Sequence, residues 1–260
     1  MNIFFIGDIV GRPGRAAVQD WLPKLREEFP IDIVVANAEN AAGGLGATAE
    51  ILDDLTQLGI QAFTLGNHTW RRKSLIDDID RYNNIARPAN YPDVVPGSGS
   101  VIVELSDGRK LGIVNLLGRV FMEAYACPFE AALREIDSLR ETTPTILVDM
   151  HAEATSEKIA MGWFLDGQCS AVLGTHTHVQ TADECVLPGG TAYITDVGMT
   201  GPMDSVIGVE KEPVIEKFLT GLPTEFRVAK DRPGICGAYI QTDDQTGRAE
   251  SITRVMRCSH

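Results

Sequence analysis

Side chains that can hold a metal ion stand directly behind short apolar runs at five places in the chain. Asn2–Ile6 is followed by Gly7-Asp8, Asp32–Ala36 by Asn37-Ala38-Glu39-Asn40, and Ile60–Leu65 by Gly66-Asn67-His68. Thr145–Met150 leads into His151, and Ser170–Leu173 into Gly174-Thr175-His176-Thr177-His178. Four of the five histidines fall in this set; the other, His260, is the last residue. Each piece has an ordinary explanation. Gly-Asp after a strand is common turn chemistry, Asn67 after Gly66 can form an Asx turn, and a single His is commonly a packed or surface residue. The His176/His178 pair is harder to dismiss. Residues two apart in extended backbone face the same side, and two converging imidazoles repel at low pH unless a metal keeps both neutral.

Counting donors sets the number of ions. Asp8, Glu39, Asn40, Asn67, His151, His176 and His178 are candidate ligands, whereas one catalytic zinc uses about three protein ligands and a water. Two ions sharing a carboxylate use such a set fully. Ions spaced at roughly 3.5–4 Å clamp the attacking and leaving oxygens of a phosphoryl transfer. With N and O donors and no thiolate, Fe, Mn, Zn and Ni all suit.

The elements that carry these residues are legible from their periodicity. Asn2–Ile6, Asp32–Ala36 and Ile60–Leu65 read as buried strands. Between them lie two helical patterns: one opened by Pro13-Gly14 and running through Val18, Trp21, Leu22, Leu25 and Phe29, the other Ile51, Leu52, Leu55 and Leu58 closed by Gly59. That alternation predicts a parallel sheet with helices on its faces, whose ligands bind outside the carboxyl ends of the strands. Ser100–Leu105 and Leu111–Leu116 around Asp107-Gly108 predict a hairpin. Thr145–Met150, Ser170–Leu173, Ala192–Thr195, Phe226–Ala229, Gly237–Thr242 and Ser251–Met256 are further strand candidates, and Val214–Leu219 is a helix candidate. No repeat or linker interrupts the chain, so residues 1–260 are expected to form one domain with a mixed, two-sheet core. The Gly/Pro-punctuated stretch 199–233 is expected to form a small cap.

Bulk properties narrow the setting. The chain has 260 residues, 44% hydrophobic, and a formal net charge of −13. That excess of acid opposes binding of long nucleic acids but leaves room for a small anionic substrate at bound cations. Five scattered Cys (127, 169, 185, 236, 258) without a C-x-x-C pair point to a reducing compartment. The N-terminus carries no signal-peptide pattern and no run has the length of a membrane span. A cytoplasmic protein is expected.

Gly7-Asp8, Gly66-Asn67-His68, His151 and Gly174-Thr175-His176-Thr177-His178 together resemble the calcineurin-like metallophosphoesterases, whose pattern is D-x-H, G-D, G-N-H, a lone H and G-H-x-H. The chain departs at two points: Val10 replaces the His of D-x-H, and Glu39-Asn40 stands where the bridging Asp usually is. Those departures, with the segments Gly7–Arg15, Asn37–Asn40 and Thr195–Ser205, look like the YmdB-type branch. The resemblance implies a four-layer α/β sandwich with two mixed sheets, two ions with Fe or Mn favoured over Zn, cyclic-nucleotide phosphodiesterase activity, and a homo-oligomer.

Carried over by position, the resemblance makes Glu39 the bridge. Asp8, Asn40 and His178 complete one site, with Asn40 supplying the donor lost at Val10; Asn67, His151 and His176 complete the other. His68 is then the general acid beside the leaving oxygen, work for which imidazole is the usual group near neutral pH. The expected reaction is attack of a metal-bound hydroxide on a cyclic nucleotide. A phosphomonoesterase or nucleotidase with the same metals, and a non-catalytic nucleotide-binding regulator, are the alternatives. The loop Asn40–Gly46 lacks the G-K-[S/T] of a P-loop and reads as a flexible connection. Arg12 and Arg15 can reach a phosphate or merely begin a helix; Trp70 can stack on a base or pack into the core.

Overall fold

The computed structural model describes residues 1–258; His260 lies outside the described residues. Along the chain run β1 (Asn2–Ile6), α1 (Gly11–Glu28), β2 (Ile33–Asn37), α2 (Ala49–Gln57), β3 (Ala62–Thr64), α3 (Lys73–Asp78) and β4 (Ile85–Ala86). β5 (Ser100–Glu104), β6 (Lys110–Leu117), α4 (Pro128–Arg140), β7 (Ile146–His151), α5 (Thr155–Phe164), β8 (Ala171–Thr175), β9 (Cys185–Val186) and β10 (Ala192–Ile194) follow. The chain then forms β11 (Gly201–Pro202), α6 (Lys211–Thr220), β12 (Pro233–Thr242) and β13 (Ala249–Cys258).

Two mixed sheets result. The first has the order β11-β12-β1-β2-β3-β4, with β13 also paired to β12; the second has β5-β6-β7-β8-β10-β9. β1 to β4 are parallel, and so are β6, β7, β8 and β10. Alternation along the buried strands builds four layers. In β1, Ile3 and Phe5 enter a core between the sheets with Val35, Ile113, Leu147 and Leu173. Phe4 and Ile6 face the opposite way, against Val18, Leu22 and Leu25 of α1 and Leu52 and Leu55 of α2. The outer face of the second sheet does the same, with Val114, Val148 and Val172 against Ile136 of α4 and Met161 of α5. A strand buried on both sides must be apolar at every position, which is why these runs show no polar alternation. The result is the four-layer sandwich.

Several boundaries differ from those read in the sequence. Phe226–Ala229 is not a strand: only Val228 makes an isolated bridge, to Val209, because no sheet edge runs beside the rest. α1 begins at Gly11, ahead of Pro13. α4 and α5 have no counterpart in the sequence reading. α5 carries a buried Lys158 on its inner face, which blunts the apolar stripe that marks a helix. The stretch 199–233 contributes β11 to the first sheet and then leaves it through α6 before returning as β12. None of the helices among the described residues is long and apolar enough to cross a membrane.

Candidate metal centre

Parallel register sets the strand ends side by side. His151 pairs with Thr175 across β7 and β8, and Asn37 with Thr64 across β2 and β3. The loops that follow β1, β2, β3, β7 and β8 therefore open into one place, and all seven predicted ligands and His68 meet there. Glu39, fully buried, is at the middle. Its Oε1 lies 3.3 Å from His151 Nε2 and 3.0 Å from Asn40 Nδ2, while Oε2 accepts the His68 backbone N–H at 2.9 Å. On one side His151 Nε2 stands 2.9 Å from Asn67 Oδ1 and 3.1 Å from His176 Nδ1. On the other, His178 Nε2 is 3.3 Å from Asn40 Nδ2 and 3.9 Å from Asp8 Oδ1. Gly66 has to be glycine, since a Cβ there would run into the Glu39 carboxylate and the His151 ring.

The outer nitrogen of each histidine decides what the inner one offers. Thr175 Oγ1 donates to Asp149 Oδ1 at 2.6 Å, so it accepts from His151 Nδ1 at 2.8 Å. His178 Nδ1 donates to the Ile207 carbonyl at 2.8 Å. His176 Nε2 sits 3.1 Å from the Glu153 carboxylate. With the outer nitrogens engaged as donors, the neutral imidazoles turn lone pairs inward, toward Glu39, Asn67 and Asp8. His151 Nε2, Asn67 Oδ1 and His176 Nδ1, acceptors 2.9 and 3.1 Å apart with no side-chain donor between them, are spaced as ligands are around an ion at about 2.1 Å.

Asp8 Oδ1 supplies a second test of fit. It is buried without a hydrogen-bond partner, a costly state that a cation removes. Burial pushes the Asp8 carboxyl up from its ordinary range. Burial acts against charge on His151 as well, yet Glu39 and Asp8 outweigh it and raise that imidazole to about 9. The same two carboxylates that favour positive charge there would favour a metal ion. Burial and the neighbouring His151 lower His176 to about 3, which keeps it a neutral donor. The residues fit metal ions, and the absence of sulfur suits borderline or hard ones.

The His176/His178 pair is built differently from the extended segment read in the sequence. β8 ends at Thr175, and both histidines take left-handed backbone, φ 96° and 65°, a strained choice for non-glycine residues. They consequently address opposite sides of Glu39. Thr177 between them is tied the other way: its N–H and Oγ1 both donate to Asp196 Oδ2, at 3.1 and 2.6 Å. Asp196 is in turn paired with the buried Lys158 ammonium at 2.7 Å.

Asn40 presents its NH2 to Glu39 and His178 and its oxygen to His68 Nδ1, 2.7 Å away. Ligation through Oδ1 would require the amide to turn over, which exchanges two atoms of nearly equal position. The loop after Asn40 is pinned rather than free. Arg72 donates to the carbonyls of Ala42 and Leu45, and Arg15 to that of Ala41. Arg15 is thus a structural clamp. Trp70 packs against the first helical layer, 6.2 Å from Tyr91. Asp149, Thr175, Asp196, Lys158 and Glu153 support the site without being singled out by the sequence. For Asp149 a signal existed: a lone carboxylate inside the apolar run Ile-Leu-Val-Asp-Met-His, on the same strand face as His151.

A cavity of about 240 Å³ opens over Glu39, Asn40, His68, Glu153, His176 and His178. The family described as "YmdB-like protein" matches residues 4–255. A Bacillus subtilis (strain 168) protein named 2′,3′-cyclic-nucleotide 2′-phosphodiesterase is 48% identical over 98% of this chain and 97% of its own. A solved structure of a hypothetical protein from Thermus thermophilus superposes with a TM-score of 0.92 at 40% identity, covering all of both chains. Another, of a novel phosphatase from Mycoplasma pneumoniae, also has a TM-score of 0.92, at 33% identity over 99% of this chain and 93% of its own.

Proposed function

The chain belongs to the YmdB-like family and is a phosphoric ester hydrolase, and from that premise we propose that it hydrolyses 2′,3′-cyclic nucleotides at a two-metal site. The observation that carries this is the inward convergence of Glu39 Oε1, Asn67 Oδ1, His151 Nε2 and His176 Nδ1 beside the unpartnered Asp8 Oδ1. In this reading Glu39 bridges the ions. Asp8, Asn40 and His178 hold one, and Asn67, His151 and His176 the other, with Fe or Mn favoured. When bound, the ions supply positive charge against the phosphoryl oxygens and lower the pKa of water.

The chain's own residues do the rest. Thr175 and the Ile207 carbonyl hold His151 and His178 in the ligating tautomer. His68 faces Glu39 Oε1 through Nδ1, and its Nε2 has no hydrogen-bond partner among the described residues. As water adds to phosphorus and the P–O2′ bond breaks, His68 Nε2 gives its proton to the departing O2′, and a nucleoside 3′-monophosphate forms. The Glu39 carboxylate, 3.2 Å from Nδ1, orients the ring for this transfer.

Metal-replete protein offered 2′,3′- and 3′,5′-cyclic nucleotides, p-nitrophenyl phosphate and its bis ester tests the reading. Turnover of 2′,3′-cyclic nucleotides to 3′-monophosphates is expected. Preference for the monoester would instead make the protein a phosphatase, and hydrolysis of none would make it a binder.

The same reading takes the chain as one cytoplasmic domain, with the stretch 199–233 as a cap. It also takes it as a homo-oligomer. Support for the last comes from Phe218 and Leu219 on α6, 85% and 81% exposed, with Ile215 and Leu222 beside them. A monomeric mass by light scattering would remove it.

A further inference from the structure

The cavity over Glu39 is too small for a whole nucleotide. Ligand pockets span roughly 300–1,000 Å³, and this one has about 240 Å³. A groove of about 840 Å³ begins where it ends, and Gly44, His178 and Ile207 line both. Its walls are chiefly aliphatic, with Val10, Val209 and Val228 lining it together with the half-exposed Phe226, whose ring has the Lys217 ammonium 4.9 Å from its centre. Arg12, Arg227 and Lys230 line it as well, cations on a chain of net charge −13. Gly44 keeps the passage open: with φ +88°, a Cβ there would approach Val228 Cγ2 to 2.7 Å.

We propose that this groove is the nucleobase subsite, receiving the base of the ester whose phosphate sits over Glu39. The inference rests on the cyclic-nucleotide reading above and adds where the base goes and how it is recognised. The groove is apolar and continuous with the reacting centre, as a flat heterocycle attached to the phosphate through ribose requires. Arg12 and Lys230 complement the anionic ester that the rest of the surface repels. No amide, hydroxyl or carboxylate side chain lines the groove, whose polar lining is Arg12, Arg227, Lys230 and His178, so the base is held chiefly by apolar contact and shape. All four 2′,3′-cyclic nucleotides are therefore substrates of comparable KM, within about tenfold.

Glycerol 1,2-cyclic phosphate carries the same five-membered diester without a base, and comparing it with 2′,3′-cyclic AMP isolates the groove. Phe226→Ala and Val228→Glu are expected to raise KM for 2′,3′-cyclic AMP, by about tenfold in the latter, and to leave kcat/KM for the glycerol ester unchanged. Calorimetric binding of adenosine 3′-monophosphate to the metal-replete protein should weaken in parallel, and thermal melting reports whether each variant is folded. Equal effects on both esters, or none on either, overturn the subsite. Failure of the wild-type protein to hydrolyse any cyclic nucleotide overturns the substrate reading instead. In that event the nucleotide-binding comparison alone decides the groove, and equal affinity in wild type and both folded variants refutes it.

Discussion

His68 and Glu39 touch each other, yet their removal should have separable consequences. His68 contributes no donor to the inward cluster; one ring nitrogen faces Asn40 and Glu39, and the ring lines the cavity. His68→Ala is therefore expected to keep its metal content and lose roughly 10²-fold or more in kcat, the usual contribution of a positioned acid. Full turnover with metals retained would remove the role. Glu39→Gln takes a charge from the centre of both donor groups. Elemental analysis after dialysis should show metal lost, and unchanged content would end the bridging assignment. Asn40 is where residue type was least informative. An amide offers an oxygen or an NH2 to the same spot, and only its neighbours decide which.

Among the elements, the loop after β8 does the most. Its two histidines adopt a backbone that side chains disfavour, and something must hold them there. The tie is Thr177 to Asp196 to Lys158, an ion pair buried between α5 and the segment after β10. Breaking one half of such a pair leaves an uncompensated buried charge and costs about 3–5 kcal/mol. Lys158→Met should thus lower the unfolding free energy by that order in a urea titration. A Thr177→Val variant, which removes one hydroxyl bond and keeps the pair, should cost far less while weakening metal retention. Equal stability in Lys158→Met and wild type would show that the pair does not hold the loop. Helix α5 illustrates a limit of periodicity. Lys158 occupies an inner face that an amphipathic pattern assigns to an apolar residue, because its partner comes from a segment remote in sequence.

On the scale of the molecule, the sheets are joined at the end away from the candidate metal centre by Arg109. From the hairpin of β5 and β6 it reaches Asp32 before β2 at 3.0 Å and Asp244 after β12 at 3.3 Å. Partial burial works to raise Asp32, but the Arg109 hydrogen bonds and charge prevail and hold its carboxyl below the ordinary value. A carboxyl depressed on folding stabilises above its unfolded pKa, and that stabilisation fades as pH falls through the folded value. Arg109→Ala should accordingly lose up to about 1 kcal/mol near pH 7, since the site is largely solvated. The difference from wild type should vanish once the pH drops below the carboxylate range, about 3 or less. A deficit independent of pH in chemical denaturation would contradict this.

Local chemistry determined much of the protein before any folding was considered. Which side chains can ligate, and that they follow strands, is written in runs such as Phe-Thr-Leu-Gly-Asn-His, because strand period and turn residues act over a few neighbours. The parallel first half was legible for the same reason. Tertiary structure alone decided which nitrogen of each histidine faces inward, through Thr175 and Asp149 for His151 and the Ile207 carbonyl for His178. It also decided that His176 and His178 part around Glu39, that Lys158 is a buried anchor, and that a groove adjoins the centre. Each of these is set by a partner far away in the chain, such as Asp8 beside the His176 backbone. Contacts of that kind leave no periodic trace in the residues that make them.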